Sequence, residues 1–224
     1  MALSSPPGQL VPMTELTTLR RSTAASRTRS ALGGALGNHR LTSLVGLVLL
    51  LGLAVEGATI PFLGSLLSVH IFVGMLLLGP IALKLASTGY RMTRYYTRGP
   101  EYVRLGPPAP LMRVLVAPVL VLTTLTLFGT GVLLLAVPHR GTVLMLHKAS
   151  FIVWFGAMAI HVLAYALRAA RGVAADFMDA LPRGRWIRIA LTLLAVVAGL
   201  LLAVETYPLA HPWLNHHHWP GGDG

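Results

Sequence analysis

The chain has 224 residues, of which 54% are hydrophobic and only 11% are charged, and it contains no cysteine. Soluble domains carry about a quarter charged residues, so this composition indicates a protein embedded in lipid. The formal net charge of +11 does not indicate nucleic-acid binding, because Lys and Arg stand between long apolar runs rather than on one polar face. Without cysteine, disulfides, thiolate metal sites and iron–sulfur clusters are excluded.

The chain begins with a polar stretch and continues as five apolar runs. Residues 1–40 are rich in Ser, Thr, Pro, Gly and Arg, a composition that predicts a disordered basic arm on the cytoplasmic side. Each later run has the roughly 20 residues that a helix needs to cross the hydrocarbon core. We predict spans at about Leu41–Ile60, Leu63–Thr88, Leu111–Val137, Thr142–Leu167 and Trp186–Val204. The predicted fold is an all-α integral membrane bundle of five transmembrane helices over residues 41–206.

Positive charges give these spans a direction. Arginines cluster before span one, between spans two and three, and between spans four and five, whereas the other loops carry little beyond Arg140. Because basic loops stay in the cytoplasm, we predict a cytoplasmic N-terminus and an extracytoplasmic C-terminus. Residues 207–224 are then an extracytoplasmic tail containing His211 and the cluster His216, His217 and His218. Such a cluster binds metals weakly and fixes no coordination geometry.

Three histidines stand inside the predicted spans, where an ionisable side chain is costly and is a functional candidate. His70 lies a few residues into span two and His147 a few residues into span four. Both spans run from outside to inside, so we expect the two imidazoles at the same depth, facing each other. Haem iron takes two axial ligands on opposite faces of its ring, and imidazole suits iron. Gly74, one turn below His70, is predicted to leave room for the porphyrin edge.

A second level on the same helices is less complete. His161 stands 14 residues after His147, close to four helical turns, so both are predicted on one face about 21 Å apart. The same step from His70 reaches Lys84 instead of a histidine. Lysine ligates iron only as a neutral, desolvated amine, and the simpler interpretation is that Lys84 extends toward the cytoplasmic surface. The sequence therefore predicts one haem and leaves a second haem open.

Two segments carry a resemblance to a known family, namely LSVHIFVGMLLLGPIALKLAS and MLHKASFIVWFGAMAIHVLAYALR. They resemble the haem-carrying helices of the bacterial membrane cytochrome b superfamily, which includes the b-type subunits of hydrogenases and formate dehydrogenases. The resemblance extends over roughly the second to the fourth predicted span. By position, His70 and His147 match one ligand pair and His161 matches one ligand of a second haem. Lys84 stands where the family pattern would place the fourth histidine.

The resemblance also implies a location and partners. It implies a bundle of four or five helices in the bacterial plasma (inner) membrane, carrying haem b between helices. It further implies electron transfer to or from quinone and a separate redox partner protein, since the chain has no flavin or nicotinamide motif. Motifs for hydrolysis or nucleotide use are absent from the sequence, so we expect an electron-transfer subunit without catalytic residues of its own.

Two other classes of function stay open. A transporter or metal-handling protein would use the membrane histidines together with the His-rich tail, although no internal repeat or charged path typical of transporters is present. A structural membrane protein would use the histidines only to bridge helices by hydrogen bonds. Glu56 and Glu205 stand near the outer ends of spans one and five. There they could exchange protons with quinol, although a carboxylate at a helix end is usually only solvated.

Overall fold

The computed structural model of the protein describes residues 33–106, 110–137, 141–178 and 184–214, and these ranges are helical apart from short turns. The helices are α1 (Gly34–Thr59), α2 (Leu63–Tyr96), α3 (Pro100–Arg104), α4 (Ala117–Ala136), α5 (Gly141–Met178), α6 (Arg185–Thr206) and α7 (His211–Leu214). A π-helical turn, Met112–Val116, leads into α4, and 3₁₀ turns occupy Ile60–Phe62 and Tyr207–Ala210. The predicted all-α class is confirmed for this part of the chain.

Four stretches of the described chain are long and apolar enough to cross a membrane, namely Gly34–Tyr96, Met112–Ala136, Gly141–Met178 and Arg185–Leu214. Large apolar side chains cover their outer surface, and Leu163, for example, is 84% exposed. A soluble monomer rarely exposes so much contiguous apolar surface, whereas helices that contact lipid tails need it. The chain is therefore a multi-pass membrane protein.

The first of these stretches, 63 residues long, folds back on itself. Pro61 lies in a 3₁₀ turn, where a residue without an N–H breaks the helical hydrogen-bond pattern. Beyond the turn α2 runs antiparallel to α1, because Thr59 lies beside His70 whereas Thr42 lies beside Lys84. The core between the two helices is formed by Leu41, Val45, Leu49, Leu77 and Ile81.

Four helices, α1, α2, α4 and α5, each contact two of the others and form a four-helix bundle. α1 packs against both α2 and α5, and α4 packs against α5 and more sparsely against α2. α6 covers a further face of α2. Within the described chain, α2 and α5 share no extensive contact, so these two helices stand diagonally opposite each other across the bundle.

Two glycines bring α2 and α6 into backbone contact. A Cβ atom on Gly79 would overlap with the carbonyl of Ala195, and one on Gly199 would overlap with the carbonyl of Leu76. Only glycine permits so close an approach, since any side chain would separate the two backbones. The position of α6 against α2 therefore depends on these two residues.

A buried ionic cluster joins α1, α5 and α6 at the end of the bundle opposite Glu56. Asp176 accepts hydrogen bonds from Arg40 Nη1 and Arg188 Nε, each at 3.0 Å, and Arg188 Nη2 contacts the same carboxylate. Arg188 is 1% exposed, and Arg185 Nε donates to the Asp176 backbone carbonyl. Arginines before span one and between spans four and five indicate topology in the sequence, and in the fold Arg40, Arg185 and Arg188 also hold three helices together.

The helices extend beyond the predicted spans. α1 begins at Gly34, so residues 34–40 are helical and do not belong to a disordered arm. α2 and α5 continue to Tyr96 and Met178, because polar contacts such as that of Asp176 support turns that hydropathy does not. Residues 207–214 of the predicted tail are also helical. Residues 1–32, Arg140 and the cluster His216, His217 and His218 lie outside the described residues.

The substitution Asp176→Ala is expected to lower the free energy of unfolding by about 3–5 kcal/mol, because it leaves the Arg188 guanidinium buried without its carboxylate. Thermal unfolding of the detergent-solubilised protein measures this loss. Arg171→Ala, which removes an exposed charge on the same helix, is the control. An equal loss in both variants would contradict the structural role of the cluster.

The substitution Gly79→Ala is expected to destabilise the protein by about 1–3 kcal/mol, because the added methyl group must push α6 away from α2. Gly89→Ala on the same helix is the matched control, since a Cβ there meets nothing within 4 Å. Fluorescence-detected size-exclusion chromatography after heating compares the two. A melting temperature for Gly79→Ala as high as that of the control would show that the glycine contact is dispensable.

Candidate functional site

His70 lies on α2 close to the hairpin turn and is held by two groups on α1. Its Nδ1 is 2.9 Å from Thr59 Oγ1 and 3.0 Å from Glu56 Oε1. The Thr59 hydroxyl already donates to the Glu56 backbone carbonyl at 2.6 Å, so its oxygen is left to accept. With an ionised Glu56 both neighbours of Nδ1 are acceptors, and Nδ1 then carries the ring hydrogen while Nε2 carries the lone pair.

His147 lies on α5 and is held in the same manner by α4. Its Nδ1 is 3.0 Å from the Leu127 carbonyl oxygen and 3.1 Å from Thr130 Oγ1. A carbonyl oxygen only accepts, so Nδ1 must donate and Nε2 again carries the lone pair. Gly131 gives the ring its place against α4, since a Cβ there would lie 3.3 Å from His147 Cε1.

The two rings belong to the diagonally opposed helices α2 and α5. Within the described chain neither Nε2 has a hydrogen-bond partner, and the His70 side chain is 23% exposed. Histidines that bind metals usually donate their other ring N–H to a carboxylate or a backbone carbonyl. In each ring Nε2 is the nitrogen left without a partner in the described chain.

The contact of Glu56 with His70 is not predicted by the sequence. The expected solvated carboxylate is instead largely buried, with 13% of its side chain exposed, and it contacts His70. A Cβ on Gly74 would lie 3.2 Å from Glu56 Oε1, so this glycine makes room for the carboxylate. The short turn after Thr59 was the available signal, because it brings the end of span one beside the start of span two.

Lys84 and His161, the second pair of candidate ligands, are arranged differently from His70 and His147. Lys84 Nζ donates to the Thr42 carbonyl at 2.6 Å and lies over Gly46, so the side chain crosses to α1 and does not extend toward the end of the bundle. His161 lies against Tyr165, with ring centroids 5.1 Å apart, and is within electrostatic range of Lys84. No acceptor in the described ranges holds the His161 ring. This pair therefore lacks the anchored geometry of His70 and His147.

Comparison with models of protein families, with curated proteins and with solved structures finds no match. Function is therefore inferred from the geometry of His70 and His147 and from the chemistry of the residues around them.

Proposed function

We propose that the protein is a b-type cytochrome that holds one haem between α2 and α5, with His70 and His147 as axial ligands. One observation carries this proposal. Each ring is anchored at Nδ1 by a neighbouring helix, and each Nε2 is without a hydrogen bond inside the described chain. Neutral imidazole with a free lone pair is the donor that haem iron takes from a protein.

The donor atoms fit this group, since two neutral imidazoles suit haem iron. They stand on α2 and α5, which share no extensive contact in the described chain. Leu53 and Phe128 each pack against both the α1–α2 and the α4–α5 core clusters and would border the ligand with apolar side chains. A bound haem would supply reversible one-electron transfer at its iron. The chain would hold the two imidazoles in the correct tautomer and exclude water.

We further propose that α1, α2, α4, α5 and α6 each cross the membrane, which we take to be the bacterial inner membrane, with the Glu56 end outside. α1 has 26 residues and α2 has 34, and each is longer than a crossing requires. Arginines concentrate at the opposite end, as expected for the cytoplasmic side. Electrons would pass between a redox partner protein and quinone. Because Lys84 donates to α1, we favour one haem per chain over two.

A structural role for the histidines is the second candidate. The same hydrogen bonds that orient the rings also join α2 to α1 and α5 to α4. Bonds of this kind between membrane helices contribute about 0.6 kcal/mol on average. This alternative predicts a colourless protein in which both histidines matter only for stability.

The visible spectrum of protein purified from haem-replete cells separates these candidates. We expect a Soret band and, after reduction with dithionite, the sharp bands of six-coordinate haem b. His70→Ala and His147→Ala should each remove most of this absorbance or convert it to a five-coordinate spectrum. His161→Ala should leave both the spectrum and the haem content per chain unchanged.

His39→Ala on α1 is the control for removing a histidine elsewhere in the bundle. A colourless wild-type preparation, or full absorbance in both ligand variants, would contradict the proposal. Two haems per chain, with one lost in His161→Ala, would contradict the single-haem assignment alone.

A further inference from the structure

We propose that the end of the bundle that holds Asp176 carries a binding surface for anionic phospholipid headgroups, formed by the last turns of α2 and by α3. The surface consists of residues 90–105, and it does not depend on the proposed haem. These residues include four tyrosines, four arginines and a single acidic residue, Glu101. Arginine keeps its charge in proteins, so the segment is positive whatever surrounds it.

The length of α2 brings its last turns out of the hydrocarbon. Its 34 residues correspond to a helix of about 51 Å, whereas the hydrocarbon core is about 30 Å thick and the bilayer with its headgroups about 40–45 Å. α2 therefore leaves the apolar layer before it ends at Tyr96. Arg98 then adopts a left-handed backbone conformation, with a φ of 56°, which ends the helix and turns the chain into α3.

Contacts with α1 and α2 hold α3 in place. Tyr102 is 8% exposed, and its ring meets that of Tyr90 edge to face at a centroid distance of 6.0 Å. Glu101 Oε2 accepts a hydrogen bond from the backbone N–H of Ala35, at 3.2 Å. The one carboxylate of the segment is thus engaged by the start of α1, and the surface keeps the positive charge of its arginines.

The contact with Ala35 also fixes the depth of α3. α1 has 26 residues, a length of about 39 Å, which is close to the thickness of the bilayer with its headgroups. The first turn of α1 therefore lies among the headgroups when its other end lies at the opposite interface. Since α3 is joined to that first turn, α3 lies at the same depth and does not project into the water, as a surface for a protein partner would.

The side chains exposed on this surface have the chemistry of a membrane interface. Tyr96 is 62% exposed, Val103 47% and Leu105 48%, and Arg98 and Arg104 are exposed as well. Tyrosine rings are enriched at the boundary between lipid and water, and basic side chains there are attracted to anionic headgroups. The two apolar side chains flank Arg104, so they can enter the acyl boundary while the guanidinium binds a phosphate oxygen pair.

A single fluorophore tests the proposal. Because the chain has no cysteine, Val103→Cys allows the full-length protein to be labelled on α3 alone. The labelled protein is reconstituted into phosphatidylcholine vesicles in which the same quencher, on the upper part of an acyl chain, is carried either by phosphatidylglycerol or by phosphatidylcholine at equal mole fraction. We expect stronger quenching by the anionic lipid, and we expect added salt to reduce the difference.

The variant Arg98→Gln with Arg104→Gln, labelled at the same position, should lose most of this difference between the two lipids. Arg168→Gln with Arg171→Gln is the matched control, since it removes two exposed arginines of α5 and should keep the difference. If the first double variant does not accumulate as folded protein, Arg104→Gln alone replaces it and should reduce the difference.

Three results would overturn the proposal. Equal quenching by the two lipids in the wild-type background would show that the surface does not select anionic headgroups. An equal loss in both double variants would show that only the total charge matters. No quenching by either lipid would place α3 outside the membrane, as expected for a surface that docks a protein.

Discussion

The contacts at the two histidine Nδ1 atoms set the orientation of both rings. An imidazole among apolar helices is stabilised by an acceptor on a neighbouring helix. His70 contacts Glu56 and Thr59 across the α1–α2 hairpin, and His147 donates to Leu127 across the α4–α5 pair. These contacts hold each ring against its neighbouring helix and leave both Nε2 atoms without a partner in the described chain.

The bundle is stabilised differently at its two ends. At the Glu56 end, polar groups are few and one carboxylate oxygen has no partner among the described residues. At the other end, Asp176 is satisfied by guanidinium groups from α1 and α6, which fasten the helices firmly. Backbone contact at Gly79 and Gly199 also holds α6 against α2.

The proposed haem and the structural alternative use the same contacts. In both, His70 and His147 bridge helices through Nδ1. They differ in Nε2, which binds iron in the haem proposal and has no protein partner in the structural alternative. The Lys84 level illustrates the contrast, because there the amine is spent on the Thr42 carbonyl and no anchored pair of rings results. Only the pair His70 and His147 combines two anchored rings with helices that are not packed together.

The sequence by itself determined the membrane class, the helical fold and the positions of the ionisable side chains within the apolar runs. Hydropathy and charge are sums over local residues, so they can be read along the chain. Only the tertiary structure decided that Glu56 is buried on His70, that Lys84 crosses to α1, and that Arg188 is a core residue. Each of these depends on which helix faces which, and on close approaches at residues such as Gly74 and Gly79 that local sequence does not reveal.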